Sequence, residues 1–164
     1  MNAPRRLLPL SLGTLATAML ALGAPAGLAA TSTGTLSVTA QVDNSCTISN
    51  ATLAFGTYSS VLGATKATTA NVNCTLAAPY TVTMDQGQNA ANGSNRMVAT
   101  VSGQPYYIPY TASFTGATLV GSVLTLSGVG TGTDVAAAIT GSAPAGANVP
   151  AATYSDSVTM TVTF

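Results

Sequence analysis

The sequence predicts an all-β fold built as a sandwich of short strands. After residue 30 the apolar residues show no helical periodicity. Short runs rich in Thr, Val and Tyr recur, and Gly, Asn, Asp and Pro separate them; the first group favours strands and the second favours turns. Several runs alternate polar and apolar side chains, as a strand with one buried face does. Many short strands separated by turns are typical of a β-sandwich.

The predicted strands follow one another along the chain with turn residues between them. They cover residues 35–42, 71–76, 80–84, 96–101, 106–114, 119–126 and 157–164. Pro109 cannot donate a backbone hydrogen bond, so we expect a bulge or a sheet edge at that position. Loops are expected at 85–95 and 128–134, and an extended connection at 143–150.

The first thirty residues have the pattern of a secretory signal peptide. Arg5 and Arg6 precede an apolar run at 7–22, and small residues suitable for cleavage end near Ala29 or Ala30. A membrane anchor is the alternative, but the run is short for a spanning helix and contains Pro and Gly. We therefore expect export. Removal of residues 1–30 leaves about 135 residues, enough for one domain.

The mature chain has very few charges. Its cations are Lys66 and Arg96, and its only acidic residues are four aspartates, a formal balance of −2. Two cations cannot form the basic stripe that nucleic-acid binding needs, so no nucleic-acid partner is expected. A surface of Thr, Ser, Ala and Gly favours association over a free monomer.

Cys46 and Cys74 are the only cysteines. In an exported chain such a pair predicts a disulfide, which stabilises by roughly 3–4 kcal/mol in the chain-entropy model. Two buried free thiols are the alternative. A metal site is not expected, because the chain has no His and two thiolates do not complete a tetrahedral shell.

Residues suited to catalysis are scarce. General acid–base chemistry uses His, Glu, Asp or Lys, and this chain has neither His nor Glu. Each Asp lies in or beside a turn signal, where it commonly binds local backbone, although convergence of two carboxylates stays open as an alternative. No phosphate-binding glycine loop is present. We predict no enzymatic activity, no cofactor and no small-molecule substrate.

Several short motifs occur in the order and spacing of a known family. The mature chain resembles the spore coat protein U domain found in archaic, Csu-type chaperone–usher pilins. The matching segments are 46–48, 55–58, 72–74, 79–82, Gly87, 96–97, 107–110, 144–150 and 154–162. The chain departs from the family at Ala152, where members often carry Gly, and at 136–138, where they carry more regular strand residues.

The resemblance implies an incomplete immunoglobulin-like β-sandwich that a donated N-terminal strand completes. It implies residues 31–44 as the donor strand and 45–164 as the pilin domain. The implied partners are a periplasmic chaperone, an outer-membrane usher, and other subunits, both identical and related. The chain would pass through the periplasm to a fibre at the cell surface, where it supports attachment or biofilm formation.

Two alternating end segments are the predicted binding elements. In the donor strand one face carries Leu36, Val38, Ala40 and Val42. In the C-terminal strand one face carries Val158, Met160, Val162 and Phe164. By resemblance the C-terminal strand, 157–164, pairs with an edge strand of the chaperone, and basic chaperone residues hold the carboxylate of Phe164.

Other classes of protein stay open at this stage. Both end strands could be internal strands of one closed sandwich. The chain could be a spore or cell-surface coat protein without pilus assembly. A carbohydrate-binding surface module is a third alternative, although six Tyr and no Trp give few side chains to stack on sugars.

Overall fold

The fold is known from a computed structural model that describes residues 27–164. Most of the predicted signal peptide, 1–30, lies outside the described residues. The chain divides into two units, Met1–Thr39 and Ala40–Phe164. Residues 27–45 have no regular secondary structure, and every strand assigned in the described part of the chain belongs to the second unit. Over 27–164 there is no helix, hence none long and apolar enough to cross a membrane.

Within residues 27–164, nine strands form two antiparallel sheets. They are β1 Cys46–Ile48, β2 Ala64–Cys74, β3 Pro79–Met84, β4 Asn95–Val101, β5 Gln104–Phe114, β6 Thr118–Val120, β7 Val123–Val129, β8 Asp134–Ala143 and β9 Met160–Thr163. One sheet has the order β1-β2-β8-β5-β4 and the other β6-β7-β3-β9. Buried residues from both sheets, such as Val72, Val82 and Ile139, form one core cluster. The predicted all-β sandwich is therefore confirmed.

Most predicted strands are found, with changed ends. β3, β4 and β5 cover 80–84, 96–101 and 106–114, and β9 covers the middle of 157–164. β2 begins seven residues before the predicted run. Leu76 was expected on the face of Val72 and Cys74, but it lies in the turn after β2 and is 72% exposed. That part of the prediction is wrong, because the strand ends at the disulfide.

The prediction of a single strand at 119–126 is wrong, because two strands, β6 and β7, cover this range. The chain reverses at Gly121 and Ser122, and β6 and β7 form a hairpin in which Val120 pairs with Val123. Gly121 has a φ of 64°, a left-handed conformation that glycine adopts at little cost and that a tight turn needs. The predicted strand at 35–42 has no strand assignment in the single chain, and its pairing with a second chain stays a prediction.

β8 is not among the predicted strands, yet it lies in the middle of the five-stranded sheet between β2 and β5. Its alanines have weak strand preference, so the local sequence gives a poor strand signal. Its burial nevertheless alternates, with Ala137, Ile139 and Ala143 buried. The two neighbouring strands, and not local preference, hold this segment extended.

Pro109 occupies a position where its missing N–H has little cost. It pairs with Arg96 of β4, and the pairing of β5 with β8 begins only at Thr111. The edge-like environment expected from the proline is therefore found.

Candidate strand-binding cleft

Each sheet ends in a short edge strand at the same side of the sandwich. β1 is the last strand of the five-stranded sheet and β9 the last of the four-stranded sheet. The two strands approach each other, and Ile48 and Val162 pack on the same core. Among the described residues no strand pairs with the outer side of β1 or β9. Their outward N–H and C=O groups can therefore accept an added strand.

The chain after β1 continues as one wall of a cleft. No strand is assigned at 49–58, but side chains alternate between half-buried Ala51, Leu53 and Phe55 and exposed Thr52 and Ala54. This is the pattern of a strand that lacks a partner on one side.

The chain before β9 forms the opposite wall. Asp85 N donates to Thr159 O at 3.0 Å, Gln88 N to Ser157 O at 3.0 Å, and Val98 N to Ser155 O at 2.9 Å. The carbonyl groups of every second residue, 155, 157 and 159, accept these bonds and therefore lie along one edge of the segment. Because peptide groups alternate along an extended chain, those of the intervening residues face the other edge.

Two connected cavities lie between the walls. One has a volume of about 380 Å³ and the other about 640 Å³. They share Leu53, Phe55, Met97 and Tyr154, so they form one cleft. Met84, Met97 and Met160 line it, and methionine adapts its shape easily to a packed neighbour.

Gly141 of β8 allows the first wall to lie close to the sheet. A Cβ at this position would collide with Leu53 Cδ2 and would lie 3.1 Å from Phe55 Cζ and 3.2 Å from the carbonyl oxygen of Thr111. The absent side chain thus leaves space for the two apolar residues that line the cleft.

A polar cluster fixes the second wall. Tyr110 donates its hydroxyl to Asp156 Oδ2 at 2.8 Å, and Asn89 donates Nδ2 and its backbone N–H to Oδ1 at 2.8 and 3.2 Å. Arg96 Nε donates to the carbonyl of Asn89 at 2.9 Å and lies 4.0 Å from the centroid of the Tyr107 ring. Burial raises the pKa of Tyr110, and the hydrogen bond to Asp156 raises it further. Tyr110 therefore remains a proton donor at neutral pH.

Asp85 holds the same wall where it joins β9. Its Oδ1 accepts the N–H of Thr159 at 2.8 Å and the N–H of Gly87 at 2.9 Å. The bond from Thr159 is the largest influence and lowers the pKa of Asp85. The carboxylate thus fixes the start of β9 at neutral pH.

The predicted binding residues lie in different settings. Val158 and Met160 line the cleft, and Val162 is half-buried in the core, whereas Phe164 is 54% exposed. On the predicted donor face Leu36, Val38 and Val42 are each more than 80% exposed, and Ala40 is also exposed. The roles of both sets in binding stay predictions.

Cys46 and Cys74 form the predicted disulfide and lie opposite each other in the pairing of β1 with β2. The cleft also contains residues that the sequence did not single out for binding, chiefly Leu53, Met97 and Asp156. The alternation at 51–55 is a local signal that would have found the first of these. Within 27–164 no group of three or more His, Cys, Asp or Glu side chains is placed to hold a metal ion.

The fold agrees with comparisons to known proteins. The Spore Coat Protein U domain matches residues 32–161, and the chain belongs to that family. Protein U of Myxococcus xanthus is 33% identical over 157 residues, which cover 83% of this chain and 87% of that protein.

The fold is also similar to a crystal structure from Acinetobacter baumannii, the CsuC–CsuE chaperone–tip adhesion subunit pre-assembly complex of archaic chaperone–usher Csu pili. The TM-score is 0.51 at 22% identity, and the match covers 75% of this chain. It spans only 40% of the length of the matched chain. At this identity the likeness concerns the fold.

Proposed function

We propose that this protein is a structural subunit of a surface fibre, assembled by a chaperone–usher pathway through exchange of donor strands. In this proposal residues 31–44 of one subunit enter the cleft of the next. The subunit passes through the periplasm and ends in a fibre that supports attachment or biofilm formation.

The cleft is the observation that carries the proposal. Apolar side chains such as Leu53, Met97 and Val158 line it beside polar groups, and it lies between the sheets. Both its walls are segments with backbone groups available to a further strand. A strand that enters would bond through its backbone and fill the cleft with alternate side chains, as in other cases of strand addition.

The N-terminal segment has the complementary pattern. Leu36, Val38, Ala40 and Val42 lie at every second position, and all four side chains are exposed in the single chain. Full burial of a Leu or Val side chain contributes about 1.5–3 kcal/mol, so the four residues together contribute several kcal/mol.

A periplasmic chaperone and an outer-membrane usher complete the proposed pathway. The free edge of β9 is suited to pair with an edge strand of a chaperone before assembly. The similar solved structure holds a subunit together with a chaperone, which supports this partner.

The test compares two substitutions in the donor segment. Val38→Asp would bury an unpaired carboxylate in the neighbour's cleft, which costs far more than the lost methyl groups. Thr39→Asp places the same charge on the opposite face of the segment. We expect Val38→Asp subunits to fold with their chaperone but to stop polymerising, and Thr39→Asp subunits to polymerise nearly normally.

Polymer length is measured on purified chaperone-bound subunits of both variants and of the unmodified chain. If both variants polymerise like the unmodified chain, this segment donates no strand. If Thr39→Asp alone fails, the strand is donated in a register shifted by one residue.

A coat protein is the second candidate function. The family's domain is named after a spore coat protein, and Protein U of Myxococcus xanthus is 33% identical to this chain. A coat subunit need not exchange strands. Normal assembly of both variants would therefore favour the coat over the fibre.

A further inference from the structure

The two ends of the sandwich carry different exposed apolar residues. At the disulfide end, Leu76 and Val129 are 72% and 59% exposed. They lie close together, because Ala77 N donates to Gly130 O at 2.8 Å. At the opposite end, Val61 and Leu62 are 81% and 86% exposed.

The loop that carries Val61 and Leu62 is well ordered by hydrogen bonds. The N–H groups of both residues lie 3.2 Å from Ser59 Oγ, and Gly63 N donates to Ser59 O at 2.7 Å. Gly146 N donates to Ser60 O at 2.8 Å and ties the loop to the chain after β8. The two apolar side chains are therefore held outward by a fixed backbone.

One molecule cannot bring these two patches together. β2 has 11 residues and connects the two ends, which separates them by about 33 Å at 3.3 Å per residue. Contact between the patches requires a second copy that is stacked end to end.

The segment that connects the proposed donor strand to β1 is short enough to require such stacking. Ser45 is fixed beside Thr75, since Thr75 N donates to Ser45 O at 2.9 Å. Ser45 lies only three positions after Val42, the last residue of the proposed donor face, and three residue steps span at most about 10 Å. When Val42 occupies a neighbour's cleft, the disulfide end of the donor must lie against that neighbour.

The position of the cleft opening determines which end of the neighbouring subunit the donor subunit contacts. β1 and β9 approach each other at the disulfide end, and no residue of β1 lines either cavity. The larger cavity is lined by Ser60 and by residues 147–153, directly beside Val61 and Leu62. The donor chain therefore leaves the cleft next to the exposed pair.

Charge also matches across this contact. Lys66 lies exposed near the start of β2, at the end that carries Leu62. Asp43 and Asp134 lie exposed at the disulfide end. Contact between two disulfide ends would bring these aspartates together, whereas the head-to-tail orientation offers them Lys66. Asp85, exposed directly after β3 in the same half of the sandwich as Lys66, makes this attraction weaker.

We propose that Val61 and Leu62 of one copy pack against Leu76 and Val129 of the adjoining copy, as a second contact between subunits beside the donated strand. The contact rests on the proposed fibre function and specifies how neighbouring subunits meet. Because it lies outside the cleft, it can be changed without altering strand exchange.

Disulfide trapping tests this contact in assembled fibres. In the double variant Leu62→Cys with Leu76→Cys, the introduced thiols are about 33 Å apart within one molecule and meet only across a junction. After mild oxidation, denaturing gels without reductant should show a ladder of covalent multimers. The matched control, Leu62→Cys with Leu119→Cys, places the second thiol on the exposed β6 hairpin and should give none.

A charge pair gives an independent measurement. Leu62→Asp should lower the yield of polymer several-fold, and adding Leu76→Lys should restore it. Fibres of normal length that give no ladder, or a loss of polymer that Leu76→Lys does not restore, would overturn the contact and leave strand exchange in place. Failure of the unmodified chain to polymerise would instead remove the proposed function, and the contact with it.

Discussion

Asp156 connects the second wall of the cleft to the body of the sandwich. Its two carboxylate oxygens accept three hydrogen bonds, one from Tyr110 and two from Asn89. Gly87 lies against the same carboxylate, and a Cβ there would collide with it. One side chain thus positions both the loop after β3 and the segment that leads to β9.

Tyr110→Phe tests this link. The substitution keeps the buried ring but removes one donor from the carboxylate, and hydrogen bonds to charged groups contribute about 1.5–3 kcal/mol. We expect a loss of about that size in the free energy of urea unfolding. Tyr106→Phe is the control, since no hydrogen bond of its hydroxyl is present among the described residues, and it should be nearly neutral. Equal losses for both would contradict the role of the Asp156 link.

The pH dependence of the same link has a definite sign. Because the pKa of Tyr110 is raised in the folded protein, its contribution to stability is fully present below the ordinary tyrosine pKa of about 10. This contribution is lost as the pH rises further towards the pKa of Tyr110 in the folded protein. Stability should therefore fall more steeply above pH 10 in the unmodified chain than in Tyr110→Phe.

Ala77 adopts a backbone conformation that suits glycine better. Its φ is 64°, and a non-glycine residue in the left-handed region costs roughly 1–2 kcal/mol. Ala77→Gly removes this cost but adds entropy to the unfolded chain, so we expect a gain of up to about 1 kcal/mol in unfolding free energy. Ala136→Gly in β8, where the backbone is extended, should lose about 0.5–1 kcal/mol. A destabilised Ala77→Gly would show that the turn is not strained.

Asp85 fixes the position of Thr159, the residue directly before the C-terminal strand β9. Its lowered pKa means that the carboxylate contributes stability above its ordinary pKa of about 3.9. This contribution is lost as the pH falls through the lower folded value. The chemical shift of the Thr159 amide should therefore titrate with a midpoint below that of an exposed Asp. Asp85→Asn should abolish this titration, and a midpoint at the ordinary value would contradict the anchor.

At the scale of the whole molecule, the disulfide connects a three-residue edge strand to the longer β2. β1 pairs with β2 over only three residues, and it continues directly into the first wall of the cleft. Loss of the bond should therefore loosen the cleft as well as lower the stability.

Removal of both thiols by Cys46→Ala with Cys74→Ala should cost about 2–5 kcal/mol of unfolding free energy, a large part of a typical domain's stability. Thiol labelling of the denatured, unreduced protein should detect no free cysteine in the unmodified chain. Ser45→Ala with Thr47→Ala, exposed changes on either side of Cys46, gives a control that should stay within about 1 kcal/mol. A double cysteine variant as stable as the unmodified chain would show that pairing alone holds β1.

The fold class, the strands with clear alternation and the disulfide could be predicted from the sequence alone. These features are local or depend on a unique pair: Val82 lies on an alternating strand, and Cys46 has only one possible cysteine partner in the chain. The family resemblance also predicted the two end segments as binding elements; the cleft beside Val158 and Met160 is compatible with that, and their binding roles stay predictions.

The position of β8 and the residues that form the cleft depend on contacts between distant segments. The alanines of β8 have weak strand preference and are held extended by β2 and β5 on either side. Leu53 faces the cleft because Gly141, distant in sequence, leaves space for it. Asp156 meets Tyr110 and Asn89 only after three separate segments have packed together. Contacts between residues far apart in sequence depend on how the sheets pack, and no local pattern encodes that packing.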